Sequence, residues 1–176
     1  VIVVLEGEAG EAFARLQDAM KAEFGVRQLI RGHIPHITLH LAERYDITGL
    51  DAVVKSIARS ETPFVVRTVG IAFFPGEALT LYWPVVRSAR LALLQRTIAQ
   101  EASVTVREGA SEFCVPETWV PHVTLAGDAL TPDLVGRMTP WLLKGSAALE
   151  IAVTHLSVAE EKDAGTRIIS AHKLEG

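Results

Sequence analysis

The chain has 176 residues, of which 49% are hydrophobic and 22% charged, with a net charge of −4. This length is sufficient for one domain with a buried hydrophobic core. The negative net charge argues against a protein that coats a long nucleic-acid duplex, because such binding depends mainly on Lys and Arg contacts to phosphates. It leaves open a local positive cleft that holds one phosphate or the end of a strand.

The distribution of apolar residues and cysteine indicates the compartment. No apolar run approaches the roughly 18–20 residues that a membrane-spanning helix needs, so we expect no membrane partner. The first five residues, Val1–Leu5, lack a basic leader and stop at Glu6, which predicts a strand rather than a signal peptide. Cys114 is the one cysteine, so an internal disulfide is impossible and a reducing, cytoplasmic location is expected.

The first part of the chain predicts alternating strands and helices. A strand over 1–5 precedes a helix over 8–24, whose apolar residues follow helical spacing and which Gly25 ends. Next come a strand at about 34–42, a helix over 48–59 and a long strand over 64–74. The dipeptide Pro75-Gly76 closes this strand with a turn.

The same order then begins again. The pattern predicts a strand over 79–83, a helix over 85–101 with Pro84 in its first turn, and an irregular stretch over 103–118. A strand over 120–126 and a helix from the capping residue Thr131 to about 144 follow. Strands over 149–158 and 166–174 complete the chain.

This repeated order predicts one domain over 1–176 built from two pseudo-repeat halves, about 1–76 and 77–176. No linker rich in Gly, Pro or Ser divides the chain. Two such halves would pack around a common axis with their sheets side by side.

Two short segments carry the candidate chemistry. Residues 35–39 read Pro-His-Ile-Thr-Leu, and residues 121–125 read Pro-His-Val-Thr-Leu. On an extended strand the side chains of residues two apart point to one face. His36 therefore shares a face with Thr38, and His122 shares a face with Thr124, about half a chain away.

Two facing histidines are suited to general acid–base catalysis, because an imidazole titrates near neutral pH. One would take a proton from the attacking nucleophile while the other protonates the leaving oxygen. The neighbouring hydroxyls would donate hydrogen bonds to the non-bridging oxygens of a phosphate. The pattern indicates phosphoryl transfer without a metal.

The segments His36-Ile37-Thr38-Leu39 and His122-Val123-Thr124-Leu125 resemble the paired His-x-Thr/Ser-hydrophobic motifs of the 2H phosphoesterase superfamily. This group includes 2′-5′ RNA ligase-like proteins and cyclic nucleotide phosphodiesterases. The resemblance covers nearly the whole chain. It implies a bilobal, pseudo-two-fold α+β fold, with two mostly antiparallel sheets around a central cleft and helices on the outside.

The resemblance also implies an activity. The usual reaction of the family opens a 2′,3′-cyclic phosphate, at an RNA end or in a small nucleotide, to a 2′-phosphomonoester. His36 and His122 would be the catalytic acid–base pair, and Thr38 and Thr124 would hold the phosphate. The resemblance favours His122 as the group that activates water, although the sequence itself leaves the acid and the base unassigned. Two alternatives stay open: a non-catalytic nucleotide or RNA-end binding module, and a 2′-5′ RNA ligase that runs the reverse reaction.

Four further residues are candidates for substrate binding. Tyr82 and Trp119 are aromatic side chains that could stack a nucleobase, although core packing is the simpler interpretation of each. Arg31 is a loop cation near the first motif, and His40 has no counterpart in the second motif, where Ala126 stands.

Metal and thiol chemistry are less well supported. His33, His36 and His40 form a spaced triple that suggests a metal site, but strand geometry does not bring all three together. Cys114 is more typical of a small buried side chain than of a nucleophile. We therefore expect no metal, no cofactor, and a monomer whose partner is a small nucleotide or RNA-end substrate.

Overall fold

The computed structural model describes residues 1–26, 33–76, 79–127, 130–145, 148–162 and 165–176. The α+β class predicted from the sequence is confirmed. The helices are α1 (Gly7–Phe24), α2 (Ile47–Ser60), α3 (Ala89–Ser103) and α4 (Pro132–Gly145), and a short 3-10 helix spans Glu112–Cys114. The strands are β1 (Ile2–Val4), β2 (His36–Thr38), β3 (Ala42–Tyr45), β4 (Phe64–Arg67), β5 (Ala72–Phe74), β6 (Thr80–Pro84), β7 (Val106–Ala110), β8 (His122–Ala126), β9 (Glu150–Val153), β10 (His155–Lys162) and β11 (Gly165–Lys173). None of these helices is long and apolar enough to cross a membrane.

The central feature is a seven-stranded antiparallel sheet with the order β11-β10-β1-β2-β8-β6-β5. Apart from β11, this order is symmetric about the pair β2–β8: β1 corresponds to β6, and β10 corresponds to β5. The outermost strand of each side comes from the other half of the chain. The predicted pseudo-two-fold arrangement is therefore present, and the two half-sheets are hydrogen-bonded to each other through the motif strands.

The two faces of this sheet have different surroundings. Side chains at alternate positions point to one face, where they are fully buried: Ile37, Leu39, Leu81, Val123 and Leu156. Helix α1 covers this face, since its Phe13 packs edge-on against Trp83 of β6 with ring centroids 6.1 Å apart. Helix α2 covers the same face near β11, where Asp51 accepts a hydrogen bond from His172. The motif histidines and threonines occupy the opposite face.

Each of the two long strands predicted from the sequence is divided in the structure. The stretch 64–74 becomes β4 and β5, separated at Gly70, which has a φ of 67°. The stretch 149–158 becomes β9 and β10. The first pieces, β4 and β9, pair with each other in a small sheet, while the second pieces join the large sheet. The sequence interpretation missed the breaks because apolar residues occur on both sides of each break.

Two other predictions were wrong. Pro84 does not open α3, because it is the last residue of β6; α3 begins after Ser88, whose hydroxyl accepts a hydrogen bond from the Leu91 amide. The stretch 103–118 is not wholly irregular, because it contains β7, which pairs with β3 in a two-stranded ribbon. The predicted cap of α4 is confirmed, since the Thr131 hydroxyl accepts from the Leu134 amide at 3.2 Å.

Two glycines with open space around them allow a test of the backbone interpretation. A Cβ added at Gly70 or at Gly136 would meet no atom within 4 Å, but only Gly70 has a left-handed φ. We expect Gly70→Ala to lower the free energy of unfolding by about 1–2 kcal/mol. Gly136→Ala, inside α4, should raise it by about 0.5–1 kcal/mol. Urea denaturation of both variants measures these values, and equal effects would contradict the left-handed break at Gly70.

Candidate active site

The register of β2 and β8 brings the two motifs together. Ile37 pairs with Val123 in an antiparallel arrangement, so His36 lies opposite Thr124 and Thr38 lies opposite His122. All four side chains point to the same face of the sheet. The two histidines are diagonal neighbours, and such positions are about 7–8 Å apart, which leaves room for one tetrahedral anion between the imidazoles.

Both imidazoles are held in the same way. The Nδ1 atom of His36 lies 2.7 Å from the Ile34 carbonyl oxygen, and that of His122 lies 2.8 Å from the Val120 carbonyl oxygen. A carbonyl oxygen only accepts, so each Nδ1 carries the proton. The Nε2 atom of each neutral ring is then left with a lone pair, which is the atom that accepts or returns a proton.

Burial disfavours the charged form of both histidines. Desolvation lowers the pKa of His36 to about 4, although the hydrogen bond to Ile34 opposes the shift. Desolvation also lowers the pKa of His122 from its ordinary value of 6.5, against the hydrogen bond to Val120. In the free protein at neutral pH both rings are therefore neutral, and an anion between them would favour protonation of one.

Aromatic side chains surround His122. The Phe74 ring is stacked on Tyr82, with centroids 4.0 Å apart. Both rings meet the imidazole edge-on, at 4.9 Å for Phe74 and 5.2 Å for Tyr82. Tyr82 pairs with Thr124 across β6 and β8, so this cluster lies on the motif face and limits the movement of the His122 ring.

The surroundings of His36 are ionisable instead. The His33 ring lies 5.0 Å from the His36 ring. Its Nδ1 atom is 3.9 Å from a carboxylate oxygen of Glu161, near the end of β10. The His33 side chain is 9% exposed, and neither ring nitrogen has a hydrogen-bond partner over the described residues. The corresponding position of the second motif is Trp119, so the two half-sites differ here.

A cleft of about 760 Å³ opens beside the motifs. Its lining joins Thr38 and His122 to the 3-10 helix and to apolar side chains that include Phe74, Phe113 and Val115. Phe113 is 77% exposed, which is unusual for an aromatic residue. The arrangement places an open apolar surface directly beside groups suited to holding a phosphate.

The structure assigns different surroundings to the other predicted site residues. Trp119 lines the cleft but is 3% exposed, and its indole N–H donates to the Thr38 carbonyl at 3.0 Å. Tyr82 is 8% exposed and stacked on Phe74. His40 is buried, and its Nδ1 atom lies 2.6 Å from the Tyr45 hydroxyl. Arg31 lies outside the described residues. Substrate binding by all four stays a prediction.

His33, His36 and His40 are not all grouped together in the structure. His33 approaches His36, whereas His40 is bonded to Tyr45. Within the described ranges, no three His, Cys, Asp or Glu side chains are grouped to hold a metal ion. Cys114 is buried, and burial raises the pKa of its thiol.

Sequence reasoning missed Phe74, Phe113 and His33 as neighbours of the motifs. Phe74 was interpreted only as the end of a strand before Pro75-Gly76, and its stacking on Tyr82 depends on the pairing of β5 with β6. His33 was considered only as a metal ligand. Phe113 gave no signal of its own, because its position depends on a short helix inside a stretch that was predicted to be irregular.

The fold and the two facing His-x-Thr strands together define a 2H phosphoesterase. The chain belongs to the 2′-5′ RNA ligase superfamily, whose family model matches residues 5–165. The resemblance inferred from the motifs is thereby confirmed. Membership supports activity of the phosphoesterase type and an enzymatic role.

Solved structures show the same fold at low sequence identity. The crystal structure of TT0787 of Thermus thermophilus aligns with a TM-score of 0.68 and 20% identity, covering 99% of this chain and 97% of that chain. Kluyveromyces marxianus Usb1 aligns with a TM-score of 0.55 and 13% identity, covering 98% and 95% of the two chains. The structure of that Usb1 with uridine monophosphate gives a TM-score of 0.51, at 14% identity and with 99% and 94% covered. No curated protein matches the sequence significantly.

The lowered pKa of His36 predicts a pH dependence of stability. In the unfolded chain the imidazole titrates near 6.5 and in the folded protein at about 4, so the unfolded state binds the additional proton between these values. The free energy of unfolding should therefore fall as the pH drops from 6.5 to 4, by at most about 3 kcal/mol for this group. His40, whose pKa burial also lowers to about 4, contributes in the same direction.

The variant His36→Asn isolates the contribution of His36, because Asn keeps a donor for the Ile34 carbonyl but does not titrate. Urea denaturation between pH 4.5 and 7.5 should give a shallower loss of stability than in the parent. Thr38→Val, which alters the same cleft without removing a titratable group, should keep the parental slope. An unchanged slope in His36→Asn would show that the pKa of His36 is not lowered in the folded protein.

Proposed function

We propose that this protein hydrolyses a 2′,3′-cyclic phosphodiester, in a small nucleotide or at an RNA end, to a 2′-phosphomonoester without a metal ion. The observation that supports this most directly is the β2–β8 register, which sets His36 opposite Thr124 and Thr38 opposite His122. An anion between the histidines would have an imidazole and a hydroxyl from each half of the chain.

The hydrogen bonds of the histidines support proton transfer. Because each Nδ1 proton is held by a backbone carbonyl, each ring can present Nε2 to the substrate. One Nε2 removes a proton from water as the water oxygen forms a bond to phosphorus. The other ring, protonated on Nε2, donates its proton as the bond from phosphorus to O3′ breaks. The products are a 2′-phosphomonoester and a free 3′-hydroxyl.

The threonines act on the charge of the phosphate. The hydroxyls of Thr38 and Thr124 lie on the histidine face of their strands and can donate to the non-bridging oxygens. Negative charge on these oxygens is what positioned donors stabilise in the transition state. The binding of uridine monophosphate by Kluyveromyces marxianus Usb1, a protein of the same fold, supports a nucleotide as the substrate.

Loss of either histidine should abolish most of the activity. We expect His36→Asn and His122→Asn each to lower kcat for a nucleoside 2′,3′-cyclic phosphate by about 10²–10⁴-fold, since each removes an acid or a base. Activity is measured in EDTA, with 2′- and 3′-monophosphate products separated by chromatography. A requirement for an added metal ion would contradict the proposal.

His172→Asn is the matched control for these variants. His172 lies on the helix-covered side of the sheet, bonded to Asp51 of α2, so its loss should leave kcat close to the parental value. The proposal would be falsified if His36→Asn and His122→Asn, folded and stable, were as active as His172→Asn.

The burial of both imidazoles predicts an acidic pH optimum. Catalysis needs one neutral and one protonated ring, and burial lowers the pKa of both below 6.5. In the free protein the protonated acid is therefore lost above that pH. We expect kcat/KM to be largest below pH 6.5 and to fall about tenfold per pH unit on the alkaline side. A plateau that extends to pH 8 would be inconsistent with two half-buried, neutral histidines.

A further inference from the structure

The cleft beside the motifs has the size of a small-molecule site. Its volume of about 760 Å³ lies within the range of about 300–1,000 Å³ that is usual for such sites. Its lining includes Thr38 and His122 of the motifs and the residues of the 3-10 helix. A ligand with its phosphate at Thr38 and His122 would therefore share the cleft with Phe113.

The apolar side of the cleft is unusually open. Phe113, Leu41, Val115 and Val120 line it and are 77%, 47%, 42% and 44% exposed. Exposed apolar side chains that form one patch next to a polar site commonly mark a binding surface. A planar aromatic group would cover the Phe113 ring and gain from stacking.

The backbone beneath Phe113 is fixed, although the ring is exposed. The Phe113 amide donates to the Ser111 hydroxyl at 3.3 Å. The Cys114 carbonyl accepts from Gln95 at 2.7 Å, and the Gln95 side chain, which is completely buried, also donates to the Leu39 carbonyl at the end of the first motif. These bonds tie the 3-10 helix to the motif strand, so Phe113 is a prepositioned platform rather than a side chain on a loose loop.

Two carboxylates lie near the site, one on the 3-10 helix and one on β10. Glu112, next to Phe113, lines the cleft. Glu161 lies beside His33 on the side of His36. The phosphates of a longer RNA strand would approach these negative charges, and repulsion between like charges disfavours that approach. A single phosphate held between the motifs has the imidazoles and hydroxyls as partners.

We infer that the site takes one nucleotide rather than an RNA strand, with its base stacked on Phe113 and with Glu112 and Glu161 acting against further phosphates. This inference rests on the proposed function and specifies its substrate. Phe113 is then a specificity-determining residue that contacts the base. The two glutamates disfavour the binding of substrates with additional nucleotides.

The test compares three substrates: uridine 2′,3′-cyclic phosphate, methyl riboside 2′,3′-cyclic phosphate, which has no base, and a tetranucleotide that ends in uridine 2′,3′-cyclic phosphate. We expect kcat/KM for the uridine compound to exceed that for the riboside by about 5- to 150-fold, the range of base stacking on an aromatic side chain. The tetranucleotide should be no better a substrate than the uridine compound. A tetranucleotide preferred tenfold or more would overturn the inference.

Substitutions test which residues cause these differences in kcat/KM between substrates. Phe113→Ala should remove the advantage of the uridine compound and leave the riboside unchanged, whereas Phe113→Tyr should keep it. Leu143→Ala, which removes another exposed side chain (69%) on α4, should change neither. Glu112→Gln combined with Glu161→Gln should improve only the tetranucleotide, by about two- to fivefold at low salt and not at high salt. Equal losses for uridine compound and riboside in Phe113→Ala would contradict the assignment.

Failure of this inference and failure of the proposed function give different results. Equal turnover of the riboside and the uridine compound would leave the function intact and exclude the base site. If no cyclic phosphate is turned over, the proposed function fails, and binding decides the inference separately. Uridine 2′-monophosphate should then quench the additional tryptophan fluorescence of Phe113→Trp, and an absence of quenching at millimolar nucleotide would exclude the base site.

Discussion

The pairing of β2 with β8 is the constraint on which the rest of the structure depends. Ile37 and Val123 meet at its centre, both fully buried against the helices. Because side chains alternate along a strand, burial of these two residues forces His36, Thr38, His122 and Thr124 to the opposite face. A shift of register by one residue would place the histidines in the core and the aliphatic side chains in the cleft. The core thus sets the geometry of the site.

Side-chain hydrogen bonds in addition to those of the sheet hold the two motif strands and the cleft in place. The Trp119 indole donates a hydrogen bond to the Thr38 carbonyl. This bond connects the segment just before the second motif with the strand of the first motif. Gln95 connects the first motif to the 3-10 helix. Both donor side chains are buried. A buried carbonyl left without a hydrogen bond would cost about 1–3 kcal/mol of folding free energy. The two halves are therefore held together by the same groups that shape the cleft.

The sequence predicted the features that repeat or alternate. The paired motifs and the repeated order can be recognised from the sequence pattern, and the α+β class is implied by the resemblance to the 2H phosphoesterases. Strand geometry places His36 with Thr38 and His122 with Thr124, whereas the common face of the two histidines depends on the pairing of β2 with β8. The break at Gly70 and the strand β7 were missed, because both depend on which distant strand pairs with which. The neighbours of the histidines were missed for the same reason: Phe74 and Glu161 reach the motifs only through pairings across the two halves.

The differences between the half-sites are best understood from the substrate. In the proposed reaction one proton leaves the attacking water and another reaches the leaving oxygen, so the two transfers are nearly symmetric about the phosphorus. The structure keeps this symmetry in the hydrogen bonds of the two Nδ1 atoms to the carbonyls of Ile34 and Val120. A nucleotide is not symmetric, because its base lies on one side of the phosphate. The surroundings of the two catalytic candidates are likewise unequal. Aromatic rings lie beside His122, whereas His33 and Glu161 lie beside His36. Two equivalent motifs can supply the two proton transfers, whereas recognition of an asymmetric substrate requires that their surroundings differ.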